Sequence, residues 1–385
     1  MRKWSSLLPG DLAEAGVLSL STGSVSRGNL ANEDATMHKM KVGLIGYGMA
    51  GRVFHAPVIT AVPHLQLSRV VERRGQTSRK WYPWVEVASE AATLFADDEI
   101  ELIVVATPNS SHFELARQAL LAHKHVVVDK PFTLTSAQSQ ELIDLAHQQH
   151  KVVSAFQNRR WDGDFQTVSR IVKQGYLGRL VEYESHFDRF RNYFSLERAW
   201  RETAGPGSGV LFDLGPHLID QALVLFGLPQ RVTADIRTQR EAGKADDQFE
   251  LILHYDGLKV TLRAGLLVRQ PGPRFALHGT EGSFVKYGVD PQEDALKRGR
   301  SPQEPEWGME PEEAWGILNT QIGGLHFQGK IETVRGHYPA YYENVCQAIR
   351  GEAELLVKPE EARNTIRIIE LAVQSSAEQR TVAFS

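Results

Sequence analysis

Six consecutive residues, Gly46-Tyr47-Gly48-Met49-Ala50-Gly51, read G-x-G-x-x-G. Gly makes up 32 of the 385 residues, so the pattern discriminates by its place rather than its composition. It directly follows the aliphatic run KVGLI and precedes a helical pattern. Glycines in that position permit a tight turn and let a pyrophosphate approach the amides of a helix N-terminus. About 20 residues further on, where this fingerprint places the group that reads the adenosine ribose, stand Glu72, Arg73 and Arg74. An acid there binds a ribose 2′-hydroxyl, and an arginine accommodates a 2′-phosphate. Two adjacent guanidiniums suit the phosphate through bidentate, charge-assisted hydrogen bonds. Glu72, if it faced that phosphate, would repel it. The expected cofactor is therefore NADP, with NAD as the alternative.

Open α/β sheets hold ligands at the carboxyl ends of their strands, and two further segments close apolar runs in this way. They are Thr107-Pro108-Asn109 and Asp129-Lys130-Pro131. A lysine ending a buried run either marks the rim of the sheet or brings an ammonium to the reacting end of a dinucleotide. Spacing alone does not choose between them. In GSGVLFDLGPHLID (207–220), Asp213 and His217 stand four apart around a helix start expected at Gly215-Pro216. Four-residue spacing puts two side chains on one helical face. Taken alone, the pair describes an N-capping Asp and a core histidine before it describes a proton-transfer site.

The elements that must hold these groups are legible as two patterns. From Lys41, apolar runs at 41–45, 65–71, 100–108, 125–131 and 151–157 alternate with helical segments, including 112–123 and 135–149. That alternation predicts βαβ units and a right-handed parallel sheet, a Rossmann domain over 37–158. After Asn158 come strand-like stretches at 180–190, 230–238, 247–256, 258–269 and 274–286, joined by hairpin turns such as Asp256-Gly257. These predict an α+β domain over 159–385 with a large, mostly antiparallel open sheet covered on one face by helices. One helix is expected to begin near Pro216, and two more lie near 339–350 and 359–376. The Pro- and Glu-rich segment 291–312 reads as a long surface loop.

Composition narrows the function classes. Lys plus Arg is 43 and Asp plus Glu is 47, and the net charge of −4 supplies no basic field for nucleic acid. The single cysteine, Cys346, forms no internal disulfide, and no Cys/His cluster offers a metal site, which fits a reducing, cytoplasmic setting. No apolar run approaches the ~18 residues of a membrane span. Residues 1–36 read as a disordered leader or an over-extended start, with Met37 or Met40 as the working beginning. An incompletely covered second sheet predicts a homodimer or homotetramer.

Together GLIGYGMAG, ATPNSSH (106–112), HVVVDKP (125–131) and GVLFDLGPHLID resemble the family of glucose–fructose oxidoreductase and inositol dehydrogenase, from Lys41 to the C-terminal helices. Within it the chain is most similar to the NADP-dependent scyllo-inositol dehydrogenases, through NRRWDGDF (158–165), DRFR (188–191), GPRFALHG (272–279) and KYGVDPQEDAL (286–296). The resemblance implies that Lys130, Asp213 and His217 form a polyol-oxidising site. It also assigns nicotinamide and ribose contacts to Thr107, Pro108, Asn109 and His112. The family's Glu-Lys-Pro stands here as Asp129-Lys130-Pro131, a shorter acid beside the cofactor. The acid typical of NAD-dependent members aligns with Arg73.

The residue types suit that chemistry. Oxidising a secondary alcohol removes the hydroxyl proton as hydride leaves the same carbon. His217 is the expected base, Lys130 the stabiliser of developing alkoxide and proton-relay partner, and Asp213 the group that orients the imidazole or holds a hydroxyl. Arg160, Asp162, Asp188, Arg191, Trp200 and Tyr287 are candidates for binding ring hydroxyls. The competing functions are reduction of another carbonyl or conjugated system on the same fold, and nucleotide sensing without turnover.

Overall fold

The computed structural model describes residues 39–194 and 202–384, so the expected leader and Trp200 lie outside the described residues. β1 (Met40–Ile45), β2 (Leu65–Val71), β3 (Glu86–Ala88), β4 (Leu102–Val105), β5 (His125–Val128) and β6 (Val153–Ala155) pair in parallel in the order β3-β2-β1-β4-β5-β6. Strand order reverses between β1 and β4, and a crevice opens beyond their carboxyl ends at such a point. All four residues of β4 are buried, as a strand covered on both faces requires. One face packs under α2 (Ala92–Phe95), α3 (His112–Leu121) and α4 (Ser136–Gln148). On the other lies α1 (Ala56–Ala61), which a π-helical turn at Gly51–His55 leads into.

The second sheet contains β7 (Leu180–His186), β8 (Arg231–Arg237), β9 (Gln248–Tyr255), β10 (Leu258–Gly265), β11 (Phe275–Gly279), β12 (Gly282–Lys286), β13 (Gly316–Ile322), β14 (Leu325–Ile331) and β15 (Val382–Ala383). Their order is β14-β13-β12-β11-β7-β10-β9-β8-β15, antiparallel except where β7 and β10 meet. The expected two-residue hairpin at Asp256-Gly257 joins β9 to β10, with Gly257 at φ 68°. Its helices are α5 (Gly163–Lys173), α6 (Gly209–Phe226), α7 (Gln292–Lys297), α8 (Pro339–Ile349) and α9 (Pro359–Glu378). α5, α6 and α9 cover one face of this sheet. α8 does not: Tyr338, Tyr341, Tyr342 and Val345 pack onto the first sheet, against Leu44, Ile59 and Phe156.

Several expectations change. The 274–286 stretch is two strands, β11 and β12, and the β13–β14 hairpin was not foreseen. Segment 291–312 is no free surface loop, because it begins with α7 and buries Gln292 and Trp307, whose indole donates to the Gln292 side chain at 2.9 Å. α6 starts at Gly209, not Gly215-Pro216. Its first turn is held from the β8–β9 connection, where Asp246 accepts from the Leu211 amide at 2.7 Å and the Val210 amide at 2.9 Å. Gly209 at φ 86° makes that approach, so Pro216 falls inside the helix. By length and apolarity α6 matches a membrane span, but two thirds of it is buried in the core.

Candidate active site at the mouth of the parallel sheet

Gly46 follows β1 at φ 99°, where a Cβ would stand 2.6 Å from the Ala106 carbonyl oxygen. Gly51 packs its backbone against the Gly46 carbonyl, so neither position has room for a side chain. Among the described residues, chain neighbours aside, no atom lies within 4 Å of a Cβ built at Gly48, which would enter open groove. That groove, about 910 Å³, runs from the glycine loop past Arg73 and Arg74 to Thr107, Pro108 and Asn109. Its size falls within the ~300–1,000 Å³ usual for ligand sites. Tyr47 contributes a buried hydroxyl with no hydrogen-bond partner among the described residues, and burial, Tyr82 and Glu72 raise its pKa. A cradle shaped by glycine backbone, with an orphaned donor and two cations along it, fits a dinucleotide.

Glu72 lines this groove beside Arg73 and Arg74, with its carboxylate engaged by backbone. Its carboxylate accepts the backbone amides of Thr77 at 2.9 Å and Ser78 at 2.8 Å, closing its own loop.

Met49, Ala50 and Asp129 line both this groove and a deeper pocket that also contains Lys130, Asp213 and His217. The ammonium of Lys130, just beyond β5, donates to the Asp213 carbonyl oxygen at 2.6 Å and to its carboxylate at 3.2 Å. Asp213 and His217 lie one turn apart on α6 and line the same pocket, as their spacing predicted. His217 is 5% exposed, and its Nδ1 has no hydrogen-bond partner among the described residues. Burial first, then the charges of Lys130 and Arg159, hold its pKa well below the ordinary histidine value. The imidazole is therefore neutral near pH 7. Phe54, Phe156 and Leu214 complete an apolar wall.

A nucleotide groove thus meets a pocket holding an ammonium and a neutral imidazole. Residues 40–157 match the description "Oxidoreductase family, NAD-binding Rossmann fold", and residues 170–384 match "Oxidoreductase family, C-terminal alpha/beta domain". The chain belongs to the GFO/IDH/MocA oxidoreductase family. The uncharacterized oxidoreductase YdgJ of Escherichia coli (strain K12) is 44% identical over 348 residues, 90% of this chain and 99% of YdgJ. The scyllo-inositol 2-dehydrogenase (NADP(+)) IolW of Bacillus subtilis (strain 168) is 40% identical, over 89% of this chain and 95% of IolW. Among solved structures, the oxidoreductase yvaA of Bacillus subtilis superposes with a TM-score of 0.87 at 39% identity, covering 91% of this chain and 99% of that one.

In this GFO/IDH/MocA oxidoreductase several expected roles move. Asp213 holds Lys130 through its carbonyl and carboxylate, and its charge also acts on His217. His112 is fully buried behind the groove, its ring nitrogens 2.8 Å from the Pro131 carbonyl oxygen and 2.9 Å from that of Thr107. It ties the two strand-end loops together and does not line the groove. Asn109 lines it while donating to the Gly207 carbonyl at 2.8 Å. Asp129 accepts the Lys130 amide at 2.8 Å; burial raises its pKa, but buried His55 and the Lys130 ammonium outweigh that and bring it below the ordinary value.

Of the expected hydroxyl-binding residues, Arg160 is enclosed by Asp220, Glu361 and the Leu356 carbonyl. Asp162 is buried under Arg159 and Tyr338. Asp188 lies beside His186, and Tyr287 is 60% exposed outside the pocket. Arg191 lines an adjoining recess with Arg189. Besides Asp129, Lys130, Asp213 and His217, the polar groups that line the pocket are Asn158, Arg159, Arg189 and Glu293, with Arg159 and Glu293 ion-paired. Arg159 and Arg160 are adjacent and chemically identical, and only the 3-10 turn Asn158–Trp161 decides which faces the pocket. Glu293 was hidden by reading its segment as loop.

Proposed function

We propose that the protein is an NADP-dependent dehydrogenase that interconverts a secondary alcohol of a cyclic polyol, scyllo-inositol-like, with its ketone. The observation that carries this reading is the convergence of Lys130, Asp213 and a neutral His217 in one pocket adjoining the Gly46–Gly51 groove. The name of IolW, a relative along nearly its whole length, points to the same substrate class.

Gly46, Gly48 and Gly51 would hold the pyrophosphate, Arg73 and Arg74 the 2′-phosphate, and Thr107 to Asn109 the nicotinamide half. When bound, the dinucleotide would supply the hydride acceptor for the carbinol carbon. The imidazole of His217 takes the hydroxyl proton, because it is unprotonated at neutral pH. Lys130 Nζ, held by the two oxygens of Asp213, donates to the developing alkoxide. Arg159 donates to neighbouring ring hydroxyls and Glu293 accepts from them, while the apolar wall limits water.

The test is absorbance at 340 nm with inositols, aldoses and keto-sugars, each with NADP and NAD. Turnover of a cyclic polyol with NADP favoured is expected, and Arg73→Ala/Arg74→Ala should abolish the preference. Nucleotide binding without turnover of any polyol or sugar would overturn the reading.

A further inference from the structure

Glu72 occupies the position, immediately after β2, where a dinucleotide fold uses an acid to hold a ribose hydroxyl. Here it does something else. Both carboxylate oxygens are engaged by backbone amides, Oε2 by Thr77 and Oε1 by Ser78, across a loop that reverses at Gly75 with φ 86°. The Glu72 amide is itself fixed to the Ala88 carbonyl at 3.0 Å, so strand, side chain and loop form a closed ring. Arg79 tightens it, donating to Gln76 and to the Val85 carbonyl, each at 3.3 Å. Arg73 and Arg74 ride on this ring, exposed and along the groove.

We infer that Glu72 is a specificity-determining positioning residue, which presents Arg73 and Arg74 to a 2′-phosphate by clamping the loop that carries them. The inference rests on the proposed preference for NADP. Two amide donors occupy both carboxylate oxygens and hold the loop closed around them. The same acid that would favour NAD in the open groove thus favours NADP when folded back. Selectivity then depends on a hydrogen-bonded loop as well as on two cations.

Affinities of the full chain for NADPH and NADH, and for 2′,5′-ADP and 5′-AMP, test this by titration calorimetry. The wild-type protein should bind the 2′-phosphorylated member of each pair better. Glu72→Ala should weaken the 2′-phosphorylated ligands about tenfold, the scale of one charged hydrogen bond, and leave NADH and 5′-AMP within about twofold. Glu72→Gln retains one acceptor oxygen and should recover part of the preference, which separates clamping from a general loss of fold. Unchanged or tighter NADPH binding by Glu72→Ala overturns the inference alone, since the carboxylate would then be idle or repelling the phosphate. A selective loss of NADH also overturns it, because Glu72 would then hold the ribose hydroxyl. A wild-type protein that binds NADH better overturns the cofactor reading and the inference together.

Discussion

At Lys130 one ammonium meets two oxygens of the same residue, the carbonyl and the carboxylate of Asp213. This grip holds the lysine at the pocket that His217 also lines. Lys130→Met should keep nucleotide affinity and lower kcat by at least ~10²-fold, the scale of lost acid–base or oxyanion help. Near-normal turnover in that variant would remove Lys130 from the chemistry. The pH dependence follows from the depressed His217 pKa. Between the unfolded value of ~6.5 and the lower folded one, the unfolded chain holds a proton that the folded chain lacks. This residue's contribution to stability therefore falls as pH drops through that window, and its base form persists below pH ~6.5. The acid limb of the kcat/KM profile for alcohol oxidation should accordingly lie below pH ~6.5; a limb above it would contradict a neutral buried base.

Neighbouring residues part ways according to the element that carries them. Arg160 joins the Asn158–Trp161 turn to α6 through Asp220 and to α9 through Glu361. Arg160→Ala leaves Asp220 buried without its partner and should cost about 3–5 kcal/mol in urea unfolding. KM of the folded fraction should stay within about twofold; a large KM change without loss of stability would restore the substrate role expected of Arg160. The glycine loop was legible from its spacing and its place after a strand, whereas Lys130 and the Asp213–His217 pair stood out only through the resemblance to a family. Arg159 and Glu293 were not legible, because each is placed by a turn whose direction depends on distant partners, and the clamp at Glu72 was not, because the path of its short loop cannot be read from spacing. The start of α6 illustrates the same limit, since its first amides are held by Asp246, far along the chain. The β13–β14 hairpin went unread because only Gly316, Leu318 and Thr320 of β13 are buried and β14 is almost wholly exposed, which leaves no apolar run to notice.

Two sheets of different construction share one framework. Ser136 at the head of α4 bonds Glu370 of α9, Ser154 of β6 bonds the Val357 carbonyl, and buried His55 meets Tyr342 of α8 at 2.7 Å. Such cross-ties, with aromatic packing of α8 on the first sheet, predict a single unfolding transition. Calorimetric and van't Hoff enthalpies should agree, and circular dichroism and tryptophan fluorescence should report one midpoint; two separated midpoints would show that the halves melt independently. The parallel sheet and the antiparallel one were both evident from periodicity, yet no pattern revealed that α8 belongs to the former, since an apolar helical face does not name its partner. That assignment bears on biosynthesis. A nascent chain emerges N-terminal end first, at ~5–20 residues per second, and the nucleotide half must wait for Pro339–Ile349 to leave the ribosome before its apolar flank can close. Until then Phe156 lacks the Tyr341 and Tyr342 rings that pack on it, and a premature stop codon upstream of that helix would disable the half of the protein translated first.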